Sequence, residues 1–141
     1  MDAHVRDAYR ALVENGQALR NAVTYRAWKI RYIPHPSEEV QLATVKHDPY
    51  DLRYIQTPGE TVQLAAATKK GHAIWKIKNP SEAVKLAAVT QNGYAIEIIE
   101  NPSEAVKLAA VTQNGYAIEC ITKPSKALKR AARKKRNKCH R

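Results

Sequence analysis

Prolines at positions 36, 58, 80, 102 and 124 fall at a constant spacing of 22 residues, and that period restricts the fold more than any other property of the chain. A fixed period of 20–50 residues marks a repeat architecture, in which each unit buries its apolar side only by stacking on its neighbours. The units themselves agree. Residues 79–100 read NPSEAVKLAAVTQNGYAIEIIE and residues 101–122 read NPSEAVKLAAVTQNGYAIECIT, differing only at 98/120 and 100/122. The same frame extends back through TPGETVQLAAATKKGHAIWKIK (57–78) and HPSEEVQLATVKHDPYDLRYIQ (35–56), and a degenerate earlier copy ends in Trp28–Ile33.

Each unit reads as two helices. Asn79-Pro80-Ser81-Glu82 is a helix start, with Asn as the cap, Pro in the first turn and Glu reaching back to the cap. The first helix is expected over 80–91. Asn92-Gly93 is expected to end it through a left-handed residue, and a shorter helix should follow over 94–99. Asp48-Pro49 makes the same break in the unit before. At about 100° per residue, Val84, Ala87, Ala88, Ala83 and Leu86 cover an apolar arc of roughly 200°, wide enough for a helix sandwiched between two others. In the short helix, Ile30, Leu52, Ile74, Ile96 and Ile118 form one column and Ile33, Ile55, Ile77, Ile99 and Ile121 a second, which together predict the seam. Glu38, Glu60, Glu82 and Glu104 align, as do Gln41, Gln63, Lys85 and Lys107. Glu82–Lys85 and Glu104–Lys107 are i,i+3 pairs with a structural role.

The expected fold is all-α, a right-handed-type α-solenoid of tandem 22-residue two-helix repeats with a capping helix at either end. Residues 1–34 hold the N-terminal cap and degenerate repeat, 35–122 the four repeats, and 123–141 a basic C-terminal capping helix and tail. In that last segment Ala127, Leu128, Ala131 and Ala132 are retained for docking, while Arg130 and Arg133 replace the inward Leu and Val of the repeat and should end the array. The string P-S-E-x-V-x-L-A-A-V-x-x-N-G-x-A-I-x-x-I resembles the repeat of a domain family of unknown function found in bacteriophages, large DNA viruses and some bacteria. The resemblance covers 35–122 and implies the repeat fold and a viral source. It carries no catalytic residue across, because its fixed positions are caps, turns and core.

Composition bears on partners. Of the formal charge of +11, residues 123–141 supply ten Lys/Arg without a single Asp or Glu, leaving 14 basic against 13 acidic side chains in residues 1–122. Such asymmetry speaks of partners rather than fold. No apolar run approaches the roughly 20 residues that span a bilayer, so no membrane role is expected. The opening residues lack the apolar centre of a secretory signal. Two cysteines, Cys120 and Cys139, do not make a disulfide framework; Cys120 replaces Ile98 and reads as a core residue. The expected location is intracellular, cytoplasmic or, in a eukaryotic host, nuclear.

Catalytic chemistry finds no support in the motifs. His4, His35, His47, His72 and His140 share no frame, and there is no phosphate-binding glycine loop, zinc spacing or nucleophile elbow. No catalytic, metal or cofactor residue is assigned, and the chain reads as a non-enzyme that takes no cofactor. Two surfaces remain as candidates. The second-helix edge carries a column of planar side chains (Trp28, Tyr50, His72, Tyr94, Tyr116) beside the column Arg31, Arg53, Trp75, Glu97, Glu119. With Arg26, Lys69, Lys70, Lys76 and Lys78, its first units interleave basic and aromatic groups. Lys29 joins them in sequence. Packing and solvation account for much of this pattern, while its functional meaning is either a stacking platform for single-stranded nucleic acid or a set of protein hot spots. The second candidate is the tail, with Lys126, Lys129, Arg130, Arg133, Lys134, Lys135, Arg136 and Lys138. A soluble cap, a phosphate-binding arm, a clamp on an acidic protein and a nuclear import signal all fit it. The expectation is an interaction module that binds a host or viral protein through the solenoid surface, with the basic helix docking on an acidic or nucleic-acid surface. The alternative is direct nucleic-acid binding by tail and ridge together.

Overall fold

The computed structural model describes residues 30–31, 33 and 35–139. Most of the N-terminal segment 1–34, including Arg26 and Trp28, lies outside the described residues, as does His140. The elements alternate: α1 (Glu38–His47), η1 (Pro49–Tyr54), α2 (Glu60–Lys69), η2 (Gly71–Lys76), α3 (Glu82–Gln91), η3 (Gly93–Ile98), α4 (Glu104–Gln113), η4 (Gly115–Cys120) and α5 (Lys126–Cys139), where η marks a 3-10 helix. All are helical, and no strand occurs among the described residues. Each long helix touches the long helices before and after it, its own η element and the preceding one; no described element touches one two units away. That contact pattern is a linear stack.

The core runs through the stack as repeated columns. Val62, Val84 and Val106 are fully buried, as are Ala66, Ala88 and Ala110 one turn later. Ile30, Leu52, Ile74 and Ile96 are buried in the predicted seam, beside Ile55, Ile77, Ile99 and Ile121. Ile33 and Ile118, near the ends of the described stack, are only partly covered. A third column, Ala73, Ala95 and Ala117, lets the η elements approach the long helices closely, since each alanine is completely buried. The arc on the long helix is narrower than expected. Ala83 and Ala127 are exposed, Leu86 is half-buried and Leu108 is 45% exposed, whereas Val89 and Val111 are buried. Arg130 therefore replaces a leucine that is half-buried against the core in three units and exposed at Leu108, whereas Arg133 stands where Val89 and Val111 are fully buried.

The caps differ from expectation in an instructive way. Ser37, Ser81 and Ser103 are the N-cap residues, their hydroxyls accepting from the amides of Val40, Val84 and Val106. The asparagines two residues earlier do other work: Asn79 and Asn101 adopt left-handed φ values of 55° and 47°, as do His35 at 58° and Lys123 at 51°. They turn the chain from one unit into the next, and the prolines that follow lie outside the helices. Asn tolerates this conformation better than most residues because its short side chain bonds locally. The aligned glutamates do not close a capping box. Glu60 accepts from the hydroxyl of Ser81, Glu82 from Ser103, and Glu104 from Ser125 at 2.7 Å, each bond joining one unit to the next. Gln41 and Gln63 donate to the carbonyls of Pro36 and Pro58 at 2.9 and 2.8 Å. Of the i,i+3 pairs, Lys107–Glu104 forms at 3.9 Å.

The break after each long helix is likewise not a left-handed glycine. Asn92 and Asn114 are extended, at φ −148° and −141°, and no glycine among the described residues has positive φ. Their side chains accept from the amides of Tyr94 and Tyr116 and so start the 3-10 segment. Glycine is required for space: a Cβ on Gly71, Gly93 or Gly115 would stand 2.3, 2.6 or 2.6 Å from the carbonyl oxygen of Ala88, Ala110 or Ala132 in the next long helix. The amides of Gly71 and Gly93 also donate to Gln91 Oε1 at 2.6 Å and Gln113 Oε1 at 2.7 Å. Pro49 occupies this position in the first described unit. Lacking an N–H, it has no use for a glutamine, and Lys69 stands there instead, its ammonium donating to the Lys46 carbonyl. Six residues in a 3-10 segment, against ten in the α-helix, give each unit a long and a short side.

Candidate functional site

The basic C-terminal segment is one helix, and its packing sorts the charges. Leu128 and Ala132 are buried at 1% and 2% exposure, and Ala131 packs against the core. The side chains on the opposite half of the circumference are all in solvent: Lys126, Lys129, Arg130, Arg133, Lys134 and Lys138, with Asn137 among them. At about 100° per residue they span roughly 180°. No carboxylate lies in this helix. Two of the tail cations behave differently. Lys135 is half-buried. The Arg136 guanidinium lies 4.4 Å from the Tyr116 ring centroid and 3.2 Å from Glu119 Oε1, tying α5 to η4.

The second-helix edge is broken into pieces. Arg31 and Arg53 are exposed and lie 5.5 and 4.7 Å from the ring centroid of Tyr54, itself half-buried. Lys69 is held by the Lys46 carbonyl, while Lys70 and Lys78 are in solvent. Trp75 is 54% exposed, with the Lys76 ammonium 3.6 Å from its ring centroid, a cation–π contact. Among the column of planar side chains, Tyr50 and His72 are half-buried; His72 Nδ1 lies 3.1 Å from the Asn92 amide nitrogen, bridging two units. Tyr94 and Tyr116 are 40% and 42% exposed. Beyond Lys78 the sign reverses, for Glu97, Glu100 and Glu119 are all exposed. The basic ridge and the basic helix are therefore separate surfaces with carboxylates between them.

Three residues carry properties that the sequence pattern did not assign. Asp51 occupies the column of Ala73, Ala95 and Ala117 and is 7% exposed. Burial pushes its carboxyl above the usual range, and Asp48 adds to this, against the opposing pull of Arg53 and His47 at 3.8 and 3.7 Å. An acid in an otherwise alanine column was visible in the sequence, but the burial of that column was not. Cys120 packs against the core from its edge and is half-buried, whereas its equivalent Ile98 is 39% exposed. Burial raises its thiol pKa, with Glu97 and Glu119 raising it further, so the reactive thiolate is disfavoured. Thr44 is fully buried and satisfied, donating to the Val40 carbonyl at 2.8 Å. Among the described residues, no three His, Cys, Asp or Glu side chains converge as a metal site requires, and no helix is long and apolar enough to cross a membrane. Compared with family models, curated proteins and solved structures, the chain matches none of them.

Proposed function

We propose that this protein is a non-enzymatic interaction module, viral in origin, whose stacked units engage a protein partner while the solvent face of α5 docks on an acidic or nucleic-acid-bearing surface. A right-handed-type stack is part of that reading. The observation that carries it is the set of six exposed cations on α5, with no carboxylate in the helix, on the half of its surface that the docking residues leave free. Capping needs only that no further unit can stack, and Arg133 in place of a buried valine meets that need alone. The remaining charge is an electrostatic surface for polyanions. Direct nucleic-acid binding by tail and ridge as one track is the weaker reading, because Glu97, Glu100 and Glu119 stand between them. A phosphate backbone following the stack would cross the carboxylates of Glu97 and Glu100 before reaching Glu119, which Arg136 already holds. Stacking platforms are also few, since Tyr50 is half-covered and Arg136 occupies the Tyr116 ring.

The test is a salt titration. Fluorescein-labelled polyglutamate and a short DNA duplex are titrated with the intact protein at several salt concentrations. Replacing Lys129, Arg130, Arg133 and Lys134 together by Gln is expected to abolish most polyanion affinity and to flatten the duplex salt slope by about 3–4. Replacing Lys69, Lys70, Lys76 and Lys78 should leave it nearly unchanged. Duplex affinity that falls as far with the ridge lysines as with the α5 set overturns the proposal in favour of the nucleic-acid reading, and polyanion binding insensitive to α5 overturns it outright.

A further inference from the structure

Between consecutive turn strips the stack leaves a groove, and the same groove recurs one unit on. The first, about 530 Å³, lies between η2 and η3; the second, about 420 Å³, lies between η3 and η4. Their frames are identical: Ile74 and Ile77 in one correspond to Ile96 and Ile99 in the other, as do Asn79, Pro80 and Lys85 to Asn101, Pro102 and Lys107. What differs is the lining. Trp75 becomes Glu97, and Ile98 becomes Cys120. The two positions at which the near-identical units diverge, 98/120 and 100/122, both border these grooves. Packing does not require that divergence, because Ile98 is 39% exposed and Glu100 is in solvent. A constant frame with a variable lining is the arrangement of a recognition surface.

The geometry assigns the first groove to an extended segment of a partner protein that carries an apolar side chain flanked by carboxylates. Trp75 at 54% exposure and Ile98 at 39% are large apolar groups left in water on its rim. Tryptophan is the side chain most enriched at the energetic centres of interfaces. Lys78 and Lys85 line the groove and Lys76 lies against Trp75, opposed by Glu100, so the local balance is positive and selects an acidic partner. Successive helices pack about 8–10 Å apart, which admits one row of side chains but not a helix of about 10–12 Å diameter. The volume falls within the range of natural ligand sites. The second groove, with Glu97 and Cys120 at the same places, lacks the apolar anchor and is the internal control. This assignment rests on the protein-binding part of the reading above and names its partner's chemistry.

The test uses the full chain and two fluorescein-labelled peptides, one with a Leu-Leu pair flanked by Asp and Glu, the other all glutamate. The Leu-containing peptide is expected to bind more tightly. Trp75→Glu, which gives the first groove the lining of the second, should weaken it by about tenfold or more and leave the all-glutamate peptide unaffected. Trp75 and Ile98 are exposed, so Trp75→Glu and Ile98→Cys leave the fold intact by circular dichroism. In amide NMR, the shifts caused by the Leu peptide should map to 77–79 and 98–101. Equal affinity for both peptides, or a Leu-peptide affinity untouched by Trp75→Glu, overturns the groove assignment. Loss of all-glutamate binding on substituting α5 belongs to the polyanion reading and is scored separately.

Discussion

Replacing Gly93 by alanine tests whether the turn glycine serves backbone conformation or backbone proximity. Gly93 has an ordinary negative φ, so alanine at an unobstructed site of this kind would raise stability by about 0.4–1 kcal/mol by restricting the unfolded chain. The site is obstructed. The new Cβ would stand 2.6 Å from the Ala110 carbonyl oxygen and 2.9 Å from Gln113 Oε1, distances that van der Waals contact forbids. Relief requires η3 and α4 to part by several tenths of an ångström, and overpacking of this kind costs about 1–3 kcal/mol. Parting also stretches the 2.7 Å bond from the Gly93 amide to Gln113, worth about 0.5–1.5 kcal/mol. The net expectation is a loss of about 2 kcal/mol. Urea unfolding followed by circular dichroism reads it as a fall in midpoint of about 1 M. Gly59→Ser is the control, since a Cβ there meets nothing within 4 Å and serine suits the N-cap position that Gly59 holds on α2. Gly93→Asn distinguishes the causes: a left-handed turn would accept Asn, whereas a steric contact makes it no better than alanine. Unchanged or raised stability in Gly93→Ala, or rescue by Asn, would refute the proximity argument.

Three further outcomes follow from particular residues. Asp51→Ala restores the alanine column and should stabilise the protein at neutral pH; because burial raises the Asp51 pKa above 3.8, wild-type stability is lost as pH rises through the folded value, so the advantage of the variant shrinks on acidification toward that pH, as paired urea titrations would show. Lys123→Asn places at φ 51° the residue used at Asn79 and Asn101, and a gain of about 0.5–1 kcal/mol is expected in thermal unfolding; an unchanged midpoint would show that the left-handed turn costs lysine nothing. Leu128→Ala removes a side chain that is 1% exposed and should cost about 2–4 kcal/mol. Since units contact only their neighbours, hydrogen exchange should quicken first in α5 and α4.

The sequence by itself determined the period, the two-part unit and the seam, because a repeating apolar column is a statement about which side chains leave water, and burial depends on residue type. Val84, Ala88, Ile96 and Ile99 were all legible for that reason. So was the charge asymmetry. Tertiary structure decided everything that depends on what lies one unit away. Asn79 and Ser81 are both sound caps in isolation; only the path into the next unit makes one the turn and the other the cap. Gly93 carries the same letter whether it bends the chain or yields to a neighbour's carbonyl, and Ala83 and Ala88 look alike until the adjacent helix covers one of them. Glu82 pairs with Ser103, 21 residues on, rather than within its own helix. The candidate surfaces divide in the same way: the cations could be counted in the chain, but packing chose which of them face solvent, tied Arg136 to Glu119, and set Trp75 and Ile98 on one groove. Periodicity shows what recurs, and contact between units sets the physical task that each recurring residue performs.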